Sequence, residues 1–352
     1  MHALRRPRSL SALVASGLLG SVIALIAPAN AIPLVAPSIG AAACSGTQVS
    51  GGGTTLQNAV RRAGAGTTFC VAAGNYTVDS AGLELQSGDK ISGAGVGSTF
   101  IKSTSARQLI SGSQSNKVVI QNVDVAGGTD KSTSACDAST IECGRAVAPG
   151  DNWLIQHARI HGADSQGIGS PGAALVIDDV ELDHNGNKWD GPNNNGFAAG
   201  IKGGVRGGFT ITNSFVHDNN QGVWCDVDCK NTEMGFIVRN NVILDNCSFG
   251  IHYENTYLNK STPASATISD NVVKGNDWCN LQRKADIGIV SAQGATLTNN
   301  DTGATPAHPQ ADVGITAFNR GLGASTGSAK GNRLNGDALK CDSPFVCPAN
   351  AR

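Results

Sequence analysis

The sequence predicts an all-β solenoid in which one short coil recurs along the chain. Two strand families and the composition carry that prediction. The first family is apolar and runs into Asn or Asp. Its members at 118–125, 153–160, 175–182, 209–216, 236–243, 266–273 and 295–302 align on Ile120, Ile155, Ile177, Ile211, Val238, Ile268 and Leu297, spaced roughly 22–35 residues apart. The second is a Gly-Ile or Gly-Val step ending at Ile168, Ile201, Val223, Ile251, Ile289 and Ile315. Two interleaved families with one variable period describe the strands of a coil, the excess length falling in loops. Among 352 residues, 45 are Gly and only 15% are charged, as many short strands joined by tight turns require.

From the N-terminus, residues 1–31 read as a secretory signal. Arg5, Arg6 and Arg8 give the positive start, Leu10 to Ile26 is apolar or small, and Ala29-Asn30-Ala31 gives a small-x-small cleavage site. Interspersed Ser and Gly make the run a poor membrane anchor, so the expected product is a secreted chain with no membrane attachment. Residues 32–49 are assigned to a linker, 50–340 to the solenoid and 341–352 to a disulfide-closed tail. Thr54 or Thr55 caps a helix with Leu56, Ala59 and Val60 on its apolar face, ended by Gly64 and Gly66. That helix would cover the first coil, whose strand edges are otherwise open.

Ten cysteines in an exported chain indicate disulfides rather than zinc. They fall close together as Cys44/Cys70, Cys136/Cys143, Cys225/Cys229, Cys247/Cys279 and Cys341/Cys347; sequential pairing is the simplest connectivity, among others the sequence leaves open. A net charge of −1 without a basic stripe excludes a nucleic-acid partner, and the chain is expected to be a monomer. Two Asn columns stand out. Asn241, Asn271, Asn300 and Asn332 share one repeat position, and Asn185, Asn219, Asn246 and Asn276 another. A stacked amide donates and accepts along its column, satisfying buried turn backbone, and Asn tolerates left-handed turns. These residues are assigned to the fold and not to chemistry.

With these strands and columns the sequence resembles the right-handed parallel β-helix superfamily typified by pectate lyases and polygalacturonases, over roughly residues 50–340; residues 54–78 resemble that superfamily's capping helix running into the first coil. The resemblance implies a right-handed parallel β-helix and an exported protein that acts on or binds polysaccharide. The fold hosts lyases, hydrolases, epimerases and adhesins alike, so the chemistry has to come from particular residues.

Strand alternation selects those residues. With Ile201, Val223, Ile251 and Ile289 inward, one outward column reads Lys202, Trp224, His252, Val290 and the next Gly204, Asp226, Glu254, Ala292. Coils lie ~4.8 Å apart, which sets Asp226 beside Glu254 and Trp224 against His252, the acids facing water. Like charges side by side disfavour the fold, which points to function. Asp226, Glu254, His252 and Lys202 are therefore the catalytic candidates, with Trp224 as an exposed platform for a sugar ring. Loops on either side supply further substrate contacts: Trp189, Asp190 and Asn194 from one, Asp228 and Tyr257 from others. His157, His161, His184 and His217 fall on scattered turns and are assigned to structure.

Three functions fit. In a glycoside hydrolase, the leading expectation, Asp226 and Glu254 form the carboxylate pair, each raising the other's proton affinity so that one serves as acid. The strings Asn-Thr-Asp, Gly-His-Gly and Arg-Ile-Lys of polygalacturonases are absent from the sequence. In a lyase or epimerase on a uronic-acid polymer, Lys202 or His252 is the base, and Asp226, Asp228 and Glu254 hold Ca²⁺ if calcium binds. No other cofactor is expected. In a non-catalytic binder the same groove holds glycan and turns nothing over.

Overall fold

A computed structural model describes residues 44–129, 144–186, 198–204, 208–226, 235–254, 265–279, 285–309 and 313–347. The secretory signal, the loop residues Trp189, Asp190, Asn194, Asp228 and Tyr257, and Cys136, Cys143 and Cys229 lie outside the described residues. The chain is a right-handed parallel β-helix, with one 17-stranded and one 10-stranded parallel sheet, each coil adding its strands beside those of the coil before.

The seven anchors of the first family are direct register partners. Ile120 pairs with Ile155, Ile155 with Ile177, Ile177 with Ile211, Ile211 with Val238, Val238 with Ile268 and Ile268 with Leu297. All of them are fully buried in one continuous core. The second family holds from Ile168 through Ile201, Val223 and Ile251, and then departs from expectation: Ile251 pairs with Ile287 and not Ile289. The outward column beyond His252 therefore continues to Gly288, and Val290 lies beside Glu254.

The cause of that slip is physical. The glycine before each inward residue is required by the Asn column beside it: a Cβ on Gly222 would come within 2.4 Å of the Gly250 carbonyl, and one on Gly250 within 2.7 Å of the Asn276 amide. In the coil of Ile287 that glycine is Asp286, and its carboxylate takes the ladder position itself, accepting from the Asn276 backbone and side-chain amides on one oxygen and from the Gly303 N–H on the other. Three donors converge on the two oxygens of Asp286 where the coils before used Asn. Burial and the nearby Asp337 push its carboxyl well above the usual carboxylate range.

Both Asn columns form the expected ladders. The Nδ2 of Asn241, Asn271 and Asn300 donates to the Oδ1 of Asn271, Asn300 and Asn332 at 2.8–3.0 Å. Asn185, Asn219, Asn246 and Asn276 do the same at 2.8–3.1 Å. The left-handed backbone sits one residue earlier, at Asn213, Asn240, Asp270 and Asn299 in one bend and at His184, Asp218 and Asp245 in the other. Paired polar residues at each bend thus divide the work, one turning the chain and the next filling the column.

The N-terminal helix spans Thr55–Arg62 and buries Leu56 and Val60 against the first coil. Gln57 is buried with them, its amide held by Asp79 and the Gly82 carbonyl. Thr47–Val49, inside the stretch assigned to a linker, already pairs with Thr68–Val71. At the other end Ala338–Cys341 adds the last strand, and Phe345, within the Cys341–Cys347 disulfide loop, joins the core. Cys44–Cys70 and Cys247–Cys279 are bonded as the sequential pairing predicts, and Cys225 is also in a disulfide.

Candidate functional site

Three strands, Ala199–Gly203, Val223–Cys225 and Ile251–Glu254, bring the four catalytic candidates and Trp224 onto one outward face. Lys202, Trp224 and His252 are direct register partners, as the alternation predicts. They form a stacked file: the Lys202 ammonium lies 3.7 Å from the Trp224 ring centroid, and the Trp224 and His252 rings are 5.5 Å apart and 10° from parallel. Phe249 continues the file on His252 at 4.3 Å. Glycines make room at both ends. A Cβ on Gly288 would come within 2.4 Å of the Phe249 ring, and one on Gly169 would meet the side chains of Gln166 and Arg145 beside Lys202.

This packing corrects two expectations. Trp224 is only 5% exposed, so it is no open platform: Lys202 covers one face, His252 the other, and its indole N–H donates to Glu254 Oε1 at 3.0 Å. The acids do not face water freely either. Glu254 points outward from the coil but is only 2% exposed, and His252 is buried with it. Each acid has its own cation: Lys202 Nζ lies 3.0 Å from Asp226 Oδ2, and Arg320 Nη1 donates to Glu254 Oε2 at 3.0 Å. The two acids also meet each other: a side-chain hydrogen bond from Asp226 is among the interactions that hold the Glu254 carboxyl down.

Arg320 is the residue the sequence pattern missed. It follows the strand Val313–Phe318, past the point where alternation places side chains, and its backbone N–H is fixed by Ser291 Oγ at 2.7 Å. Its side chain is 59% exposed, a cation that leans on the buried carboxylate and reaches solvent. His252 Nδ1 is held 3.0 Å from Gln221 Oε1, while its Nε2 lies 3.4 Å from Glu254 Oε2 without a hydrogen bond.

The electrostatics follow. Burial alone would push the Glu254 carboxyl up; His252 and Arg320 outweigh it and hold it down at about 2. Burial also pushes the Lys202 ammonium below the usual lysine range, partly offset by Asp226. Because Glu254 is more acidic folded than unfolded, its stabilisation is present above its ordinary 4.5 and is lost as pH falls towards about 2. Glu254→Gln is therefore expected to be less stable than wild type by on the order of 3 kcal/mol at pH 7, with the gap closing between pH 4.5 and about 2 in urea-unfolding curves.

Of the three residues expected to hold Ca²⁺, Asp228 lies outside the described residues and the other two are engaged. Both Glu254 oxygens are taken, by Trp224 and Arg320, and Asp226 is paired with Lys202, so a Ca²⁺ ion would have to displace cations already seated. Away from this face, a cavity of about 640 Å³ opens at the capping end, lined by Gln57, Val60, Arg61, Leu83 and Leu85 among others; none of the candidate residues borders it.

The histidines assigned to scattered turns are in fact gathered on the other sheet. His161 and His217 are the register partners of Asp183 on either side, and Asp183 is buried in a two-pronged bond from Arg159 at 2.7–2.8 Å. His184 Nδ1 lies 2.7 Å from Asp183, and His217 lies between Asp218 at 2.7 Å and Glu181 at 3.3 Å. The anchor alignment implies this register, since His161, Asp183 and His217 each follow Ile155, Ile177 and Ile211 by six residues.

No protein-family model matches the chain, and neither does any curated protein. Among solved structures, an alginate lyase from Paenibacillus sp. str. FPU-7 superposes with a TM-score of 0.55 at 14% identity, over 85% of this chain and 99% of that one. The ORF18 protein of Geobacillus virus E2 superposes with a TM-score of 0.51 at 14% identity, over 88% of this chain. The chain spans 58% of the length of that viral protein. At these identities the likeness is one of fold.

Proposed function

We propose that the chain is an exported polysaccharide lyase that cleaves a uronic-acid polymer by β-elimination at the Lys202–Asp226–Arg320 face. The carrying observation is that each acid has its own cation. A glycosidase needs one carboxyl protonated to donate to the leaving oxygen. Glu254 is held at about 2 and so is not suited to that task, and Asp226 is engaged by Lys202. Elimination asks instead for a base and for cations that neutralise the uronate carboxylate.

The residues divide accordingly. Arg320, anchored on Glu254 and open to solvent, receives the uronate carboxylate and stabilises the charge that develops as C5 loses its proton. Lys202, whose proton affinity burial reduces, takes that proton on Nζ. The C5–H electron pair forms the C4=C5 double bond, the C4–O4 bond breaks, and O4 is protonated by the Lys202 ammonium. Asp226 positions the amine, while Trp224 and His252 fix its stem and the Glu254 carboxylate. Export is supported by the N-terminal signal pattern and by the Cys44–Cys70, Cys247–Cys279 and Cys341–Cys347 disulfides.

The test is incubation of the purified chain with alginate, polygalacturonate and soluble xylan, with and without EGTA, reading ultraviolet-absorbing product and reducing ends together. Unsaturated product from a polyuronate, unchanged by chelator, is the expected result. Reducing ends without a new double bond would make the protein a hydrolase, and no cleavage of any polymer would make it a binder.

A further inference from the structure

We infer that the bend carrying Asp218 and Asp245, with the Trp278–His308 ring pair above it, is a second carbohydrate site, for neutral saccharide and separate from the Lys202 face. Trp278 is 49% exposed. A lone exposed aromatic is unremarkable, but this ring is built into place. Its indole N–H donates to the Asp245 carbonyl at 3.0 Å, and His308 lies 5.1 Å away within 3° of parallel. With one face taken by His308, the remaining exposure belongs to the other face and the rim. Cys279 next in sequence is bonded to Cys247, and Thr305, which accepts the His308 backbone N–H, donates its hydroxyl to Asp245. A fixed, half-exposed indole loses little freedom when a flat sugar ring settles on it.

Register continues the site along the solenoid axis. Leu244 pairs with His217, so Asp245 and Asp218, both left-handed bend residues, occupy neighbouring coils ~4.8 Å apart. Asp183 pairs with His217 in turn, which brings His184 and Glu181 onto the next coil. Beyond the aromatic platform the ligand therefore meets half-exposed carboxylate and imidazole groups, which accept and donate hydrogen bonds to hydroxyls. The charge sets the class of sugar. Arg159 is committed to Asp183, and Lys274 on the following coil to Asp301 at 2.9 Å. What remains is acidic and repels a uronate while tolerating an uncharged ring.

Native gel electrophoresis through hydroxyethyl cellulose, soluble xylan and galactomannan, with polygalacturonate as the charged control, tests this. At least one neutral polymer is expected to retard wild type. Trp278→Ala should abolish the retardation and His308→Ala should weaken it several-fold, both with unchanged thermal midpoints, while Trp278→Phe retains it. Cleavage of polyuronate should be unaffected by any of the three, so this site and the proposed lyase activity fail independently. Equal retardation of Trp278→Ala and wild type, or retardation by polygalacturonate alone, would overturn the inference, as would no retardation by any neutral polymer.

Discussion

Lys202→Met is expected to lower the turnover of a polyuronate by about 10²–10⁴-fold, the range general-base removal produces, and to lower the thermal midpoint as well, because Asp226 loses its cation. Met keeps a chain of similar length but removes the amine that takes the C5 proton, together with its contact with the Trp224 ring. Lys202→Arg is the sharper control, since a guanidinium keeps the charge beside Asp226 and cannot serve as a base near neutral pH. It should be as inactive as the Met variant; full activity in Lys202→Arg would remove Lys202 from the chemistry. The pH profile gives a second readout. Only the neutral amine abstracts a proton, so the rate rises with pH through the lowered Lys202 titration. Asp226 holds that proton affinity up, and Asp226→Asn should shift the rising limb to lower pH.

The second large effect is on stability. Asn246→Ala should cost about 3–5 kcal/mol, read as a fall in the urea midpoint at unchanged slope. The amide oxygen of Asn246 accepts from both the backbone and the side chain of Asn219, and its Nδ2 serves Asn276 and the carbonyls of Val216 and Leu244. All of these partners lie in the middle of the stack, where water does not replace them. Asn246→Asp is expected to be similarly damaging, because an acceptor would then face the Asn276 oxygen. A loss under 1 kcal/mol in both variants would mean that the column is incidental to folding.

Much of this architecture was legible in the sequence because β-helix coils repeat their solutions. Ile120 to Leu297 align because each faces the same narrow core, and the Asn columns align because the same buried carbonyls recur in every coil. The Lys202–Trp224–His252 register followed from the same alternation. What escaped detection did so where repetition breaks. Asp286 in place of a glycine concealed Ile287. Arg320 lies beyond a strand end, and its approach to Glu254 depends on a turn fixed by Ser291. The burial of Trp224 was invisible because alternation gives direction, while exposure depends on what neighbouring coils lay across the ring.

The amide ladder from Asn185 to Asp286 also has a polarity. Every rung passes its side-chain hydrogens toward the C-terminal end, so the small dipoles add head to tail and finish on the oxygens of Asp286. Such a stack has interchangeable middles and irreplaceable ends. A whole turn inserted between Asn219 and Asn246 would gain one donor and one acceptor and leave the balance intact, whereas past Asp286 the ladder stops while the coils run on through Val313–Phe318 and Ala338–Cys341. The ladder is thus extensible from within by complete turns, while its last rung is fixed at Asp286.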